Sequence, residues 1–267
     1  MLNRYIFFTL SITFSIISAQ PTFTEHVVSN SADGATFIYA LDMDGDGDMD
    51  VLSASREDDK IAWYENDGSE NFTEHVISTT ADNAFSVYAA DVNSDGFIDV
   101  LSASRDDNKI AWYQNDGSEN FTEIVISTAA VHAISVFATD VDDDGDIDVL
   151  SASNADDKIA WYQNDGNQNF TEYVISTTAD AANSVYATDV DGDGDVDVLS
   201  ASYDDGKIAW YENDGSENFI ENAISTTASG ARSVYASDMD YDGDLDILSA
   251  SFGKISLYDN DGVENFT

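Results

Sequence analysis

The chain has 267 residues, no cysteine, and 9 Lys+Arg against 53 Asp+Glu, a formal charge of −44. The missing cysteines exclude a disulfide scaffold, a zinc–thiolate centre and a cysteine nucleophile. The charge argues against nucleic acid and anionic membrane surfaces, which both call for clustered Lys and Arg, while 14 Phe, 13 Tyr and 4 Trp set the chain apart from acidic disordered sequences.

Residues 1–19 read MLNRYIFFTLSITFSIISA. Arg4 precedes an apolar run from Tyr5 to Ile17, with the small pair Ser18-Ala19 after it. That order reads as a signal peptide. The run is short and rich in Ser and Thr, a poor membrane span. The mature chain is expected to start near Gln20, to be secreted or held at the cell surface, and to have no membrane insertion after signal removal.

Residues 20–267 read as one array. The phrase DMDGDGDMDVLSAS starts at Asp42, and its relatives start at Asp91, Asp140, Asp189 and Asp238, a step of 49 residues. Trp63, Trp112, Trp161 and Trp210 keep that step, and Leu257 takes the fifth place after a two-residue deletion. Within the second copy, 86–92 (SVYAADV), 98–104 (IDVLSAS), 109–116 (KIAWYQND) and 120–127 (NFTEIVIS) are rich in β-branched and aromatic residues. Asp/Asn/Gly/Ser turns separate them. Four strands per repeat, five times over, predict an all-β propeller of four-stranded blades; a parallel β-helix would use shorter units. Residues 22–28 (TFTEHVV) match the fourth strand at 72–77 (FTEHVI), and 265–267 stand where the last fourth strand would begin. The N-terminal strand is therefore expected to complete the last blade and close a five-blade ring, which would be a monomer. A longer propeller is the alternative.

The repeated loop reads D-x-[DN]-x-D-G-x-x-D. Its acids are Asp42, Asp44, Asp46, Asp48 and Asp50 in the first copy and Asp140, Asp142, Asp144, Asp146 and Asp148 in the third. The fourth copy has Asp189, Asp191, Asp193, Asp195 and Asp197, and the fifth Asp238, Asp240, Asp242, Asp244 and Asp246. The second copy departs, with Asp91, Asn93, Asp95, Phe97 and Asp99. Carboxylates at positions 1, 3 and 5 of a tight loop can converge on one Ca2+; glycine at position 6 permits the turn, position 7 offers a carbonyl and position 9 closes the shell. An EF-hand would need Glu at position 12 and flanking helices, whereas position 12 is Ser53 in a strand phrase. About one structural Ca2+ per repeat is expected, with the second site weaker.

The pattern DVDGDGDVDVLSAS (189–202) resembles the FG-GAP/VCBS repeat family, which includes the propeller of integrin α subunits. The resemblance covers about residues 22–267. It implies calcium in the loop between first and second strands, on one face of the disc, and extracellular adhesion or recognition.

The remaining residues fill in that reading. The tryptophans are expected in the core between blades, with sugar stacking as the alternative. Lys60, Lys109, Lys158, Lys207 and Lys254 are expected to tie a turn to nearby acids. His26, His75 and His132 form no repeated constellation, and no G-x-S-x-G is present. The copies differ mainly at two places. One holds Thr36, Phe85, Ile134, Asn183 and Arg232, beside Gly34, Asn83, His132, Ala181 and Gly230; the other holds Arg56, Arg105, Asn154, Tyr203 and Phe252. Both fall in loops on the face opposite the carboxylate loops, which makes that face the candidate ligand surface. The expected function is a non-catalytic recognition or adhesion module for an extracellular glycan or protein. The alternatives are a segment of a larger surface repeat protein and a propeller-type polysaccharide-degrading enzyme.

Overall fold

A computed structural model describes residues 23–262 and 266; the signal-peptide reading of 1–19 lies outside them. Each 49-residue phrase folds on itself, because strands joined by turns of a few residues pair most readily with their sequence neighbours. Blade one is β1 (Ala35–Leu41), β2 (Asp50–Ser55), β3 (Lys60–Asn66) and β4 (Phe72–Ser78). Blade two is β5 (Ala84–Ala90), β6 (Asp99–Ser104), β7 (Lys109–Asn115) and β8 (Phe121–Ser127). Blade three is β9 (Ala133–Thr139), β10 (Asp148–Ser153), β11 (Lys158–Asn164) and β12 (Phe170–Ser176). Blade four is β13 (Ala182–Thr188), β14 (Asp197–Ser202), β15 (Lys207–Asn213) and β16 (Phe219–Ser225). Blade five contributes β17 (Ser233–Ser237), β18 (Asp246–Ser251) and β19 (Lys254–Tyr258). All pairings are antiparallel between consecutive strands. The chain is an all-β, five-bladed β-propeller; among the described residues no helix is long and apolar enough to cross a membrane.

The blades meet through apolar seams. In the first, Leu52, Ala54, Ile61 and Trp63 of blade one face Val87, Ala89, Val100 and Tyr113 of blade two. The same arrangement recurs between blades two and three, three and four, and four and five. Burying each of the larger aliphatic side chains contributes about 1.5–3 kcal/mol. The four tryptophans are at most 2% exposed, so they are core residues with no ring face left for a sugar. Tyr39, Tyr88, Phe137, Tyr186 and Tyr235 form a ladder from blade to blade with ring centroids 4.8–5.0 Å apart.

The expected closing strand does not form. Residues 23–28 carry no strand, and blade five is a three-stranded sheet. The N-terminal segment attaches instead to blade one: His26 Nδ1 lies 3.2 Å from Glu70, and the Ser31 carbonyl accepts from Lys60 Nζ at 2.6 Å. Among the described residues beyond β19, the isolated bridge Asn260–Phe266 is the one further pairing. Among the described residues no hydrophobic seam joins blade five to blade one.

Four of the five lysines do tie turns to acids. Lys158 Nζ reaches Glu172 at 2.7 Å, Asp156 at 3.4 Å and the Ala129 carbonyl at 3.0 Å, with its side chain 10% exposed. Lys60, Lys109 and Lys207 repeat this. Lys254 is exposed, and among the described residues blade five has no fourth strand to bring a partner Glu to it. Lys158→Met should destabilise the protein by about 2 kcal/mol, between the values for surface and buried ion pairs. The urea midpoint measures this, and the corresponding Lys254→Met should leave it unchanged.

Candidate metal loops and candidate ligand face

The carboxylate loops connect the first and second strands of each blade. Their backbone is shaped before any ion is considered. The glycine at position 6 adopts φ of 91° to 104° in all five copies (Gly47, Gly96, Gly145, Gly194 and Gly243), a region closed to L side chains. The position 1 carboxylate then accepts amides inside the loop: in copy one, Asp42 accepts from Gly45 at 2.8 Å and Gly47 at 3.0 Å.

Within this frame the acids at positions 1, 3 and 9 converge. Asp42, Asp44 and Asp50 bring oxygens within 4.8 Å of one another, as do Asp140/Asp142/Asp148, Asp189/Asp191/Asp197 and Asp238/Asp240/Asp246. The second copy has only two acids at these places. Asn93 there donates its amide to Asp95 at 2.8 Å. Position 5 is not part of these trios. Asp46, Asp95, Asp144, Asp193 and Asp242 stand outside the trios and accept the backbone N–H of the residue two further on, at 2.8–3.0 Å. At position 7 the side chains of Asp48, Phe97, Asp146, Asp195 and Asp244 pack against the glycine of the following β-turn, where a Cβ would fall 2.4–2.5 Å from them.

Position 9 does more than close a shell. Asp148 is fully buried and accepts the Val141 amide at 3.1 Å and the Asn164 amide at 2.7 Å. Asp50, Asp99, Asp197 and Asp246 make the same two bonds, so one carboxylate joins the exits of the first and third strands in every blade. The repeat spacing carried no signal for this role. Burial pushes Asp148 up to about 7 and Asp99 and Asp197 up to about 6, against the lowering pull of those amides. Burial also raises Asp44, with the charges of Asp46, Asp50 and Asp42 adding to it. Three carboxylates this close repel by about 1 kcal/mol per pair even in water-like surroundings. An all-oxygen, multiply anionic donor set of this kind fits a hard divalent cation.

The opposite face is built on bulges. Residues 36, 85, 134 and 183 fall at register shifts in the pairing of first and second strands. A bulge residue is left out of the ladder and its side chain is re-aimed. The facing loop is tied through its backbone: the N–H groups of Arg56, Arg105, Asn154 and Tyr203 donate to the carbonyls of Gly34, Asn83, His132 and Ala181 at 3.0–3.2 Å. Side chains in the facing loop therefore change without loss of these bonds. The neighbouring position is not free in this sense, since Gly34, Asn83, His132, Ala181 and Gly230 all have φ of 55° to 66°.

Seven variable residues line one depression of about 330 Å3: Phe85, Arg105, Ile134, Asn154, Asn183, Tyr203 and Arg232. Phe252 stands beside it. The Arg232 guanidinium lies 5.3 Å from the Tyr203 ring and 5.4 Å from the Phe252 ring. Thr36 and Arg56 do not join. The Thr36 hydroxyl lies within hydrogen-bond reach of the carbonyls of Ala54 at 3.0 Å and Ala84 at 2.9 Å, with one proton to share between them, and Arg56 pairs with Glu57 at 3.0 Å.

The model of the FG-GAP-like repeat matches residues 42–102, 91–151, 140–200 and 189–249. Against curated protein sequences the chain has no significant match. Among solved structures it is similar to a protein from Lactobacillus plantarum (TM-score 0.57, 14% identity, covering 82% of this chain and 66% of that one). It is also similar to the V. cholerae biofilm matrix protein Bap1 (TM-score 0.52, 17% identity, covering 90% of this chain and 40% of that one). This chain thus spans less than two thirds of either neighbour's length, and at these identities the likeness is one of fold.

Proposed function

This chain belongs to the FG-GAP-like repeat family, and from that membership we propose that it is an exported, calcium-bearing, non-catalytic module that recognises an extracellular glycan or protein. The carrying observation is the depression on the face opposite the carboxylate loops. It gathers seven of the ten most variable positions of an otherwise near-identical repeat. Two aromatic rings, two guanidinium groups and two amides at its lining are the chemistry that stacks on sugar rings and donates to their oxygens. That one of the structural neighbours is by its name a biofilm matrix protein supports an adhesive role outside the cell. Calcium is structural in this reading, holding the loops that set the register of each blade.

A glycan array run with calcium and again with chelator tests the proposal. Calcium-dependent binding to a defined glycan is expected. Tyr203→Ala and Arg232→Ala should each weaken it at least tenfold while shifting the melting temperature by no more than about 2 °C, as for most surface changes. Variants that bind like the parent protein would remove this face from consideration. A folded, calcium-loaded protein that binds no glycan would leave the protein ligand, to be sought by the same variants.

A further inference from the structure

The depression on the variable face holds positive charge that nothing in the chain neutralises. With 9 Lys+Arg against 53 Asp+Glu, a basic side chain here readily finds a carboxylate. Among the described residues Arg56, Lys60, Lys109, Lys158 and Lys207 each form an ion pair. Arg105 and Arg232 form none with any described residue, and both line the depression. Asp204 is the acid among the lining residues, and it pairs with neither. The blade framework does not require these arginines. Later copies put Asn154, Tyr203 and Phe252 in the place of Arg105, and earlier ones put Phe85, Ile134 and Asn183 in the place of Arg232.

Arg232 is also held in position. Its guanidinium lies 5.3 Å from the Tyr203 ring and 5.4 Å from the Phe252 ring. A guanidinium stacked on aromatic faces keeps its N–H donors at its edge, where an oxyanion can take two of them at once. A side chain ordered before the ligand arrives also lowers the entropy lost on binding.

Resting on the reading of this face as a glycan-binding surface, we propose that the ligand is an acidic glycan, a sugar whose carboxylate or sulfate ester is held by Arg105 and Arg232. The amides of Asn154 and Asn183 suit the hydroxyls beside that group, and Phe85 and Tyr203 supply ring faces. The rest of the molecule limits how much charge the ligand brings. The carboxylate loops lie a strand's length away, about 20 Å, and at physiological ionic strength charges are screened beyond about 8 Å. A single oxyanion therefore meets the two guanidinium groups with little opposition from the far face. A long, densely charged polyanion would run past the depression onto a surface where acids far outnumber bases. The expected ligand carries its acid groups sparsely, among hydroxyls.

A glycan array of matched pairs tests this, with the full chain in calcium. Each uronate-bearing oligosaccharide stands beside its carboxyl-reduced form, and each sulfated one beside its desulfated form. In at least one pair the acidic member should bind about tenfold or more tighter than the neutral one. The kind of pair that responds tells carboxylate from sulfate. Arg105→Gln and Arg232→Gln should each cut that preference about tenfold. Arg56→Gln, on the same face but outside the depression, should keep it. Neither Arg105 nor Arg232 forms an ion pair to lose, so their variants are expected to fold, which melting curves check. Equal binding of both members of every pair would overturn the proposal and leave glycan recognition standing. Acid preference that survives in the Arg105→Gln/Arg232→Gln double variant would overturn it too, because calcium bridging two acidic surfaces would then account for it. Binding of no member at all would remove glycan recognition, and this inference with it.

Discussion

In calcium the protein should melt about 20 °C or more above its melting temperature in chelator. Four loops bring three carboxylates within 4.8 Å of one another, and a cation held at about 100 times its dissociation constant adds roughly 2.7 kcal/mol per site. Four such sites add about 11 kcal/mol, against a typical total of 5–15 kcal/mol for a folded domain. A scanning-calorimetry trace run with and without chelator reads the difference directly, and coincident traces would sink the metal role. The second loop supplies an internal control, having Asn93 where the others have Asp. Asp44→Asn converts the first loop to that type, and calorimetric titration should then find three strong sites instead of four.

Asp148→Ala should cost about 4 kcal/mol, and the loss should persist in chelator. It removes a fully buried carboxylate that accepts two backbone amides and leaves both donors unsatisfied at about 1–3 kcal/mol each. Asp142→Asn in the same loop removes one negative charge from the trio and no framework bond of this kind. Its effect should be visible in calcium and vanish in chelator. Urea midpoints of the two variants under both conditions separate the position that builds the loop from the one that serves the ion. Parallel behaviour of the two would refute the division.

Much of this was legible in the repeat itself. The 49-residue step, the four strand phrases and the buried tryptophans followed from periodicity and composition, and the observed strands of blade two differ from the expected ones by one or two residues at most ends. The variable face was legible because near-identical copies expose what the framework does not constrain. Three matters were not. The bulge at 85, 134 and 183 depends on how two strands align, and one strand's sequence does not state that. The division of the aspartates depends on burial: position 9 lies inside the blade and bonds to amides, while position 5 turns to its own loop, though both read as the same letter. The closing strand misled because residues 22–28 copy a fourth strand in sequence, yet pairing also needs β19 within reach, and His26 and Ser31 are held at blade one.

The four seams, each between one blade and the next along the chain, also govern how the molecule is made. Within each blade every strand pairs only with its neighbours in sequence, so no part of a blade has to wait for residues synthesised much later. Emerging from the ribosome in order, each repeat meets one finished surface and completes it before the next appears. Low sequence separation of this kind favours fast folding. Refolding the whole chain at once is a different problem. All five repeats then compete for nearly identical surfaces. A blade joined to the wrong neighbour buries almost the same apolar area as one joined to the right neighbour, which is the misassembly characteristic of repeat proteins.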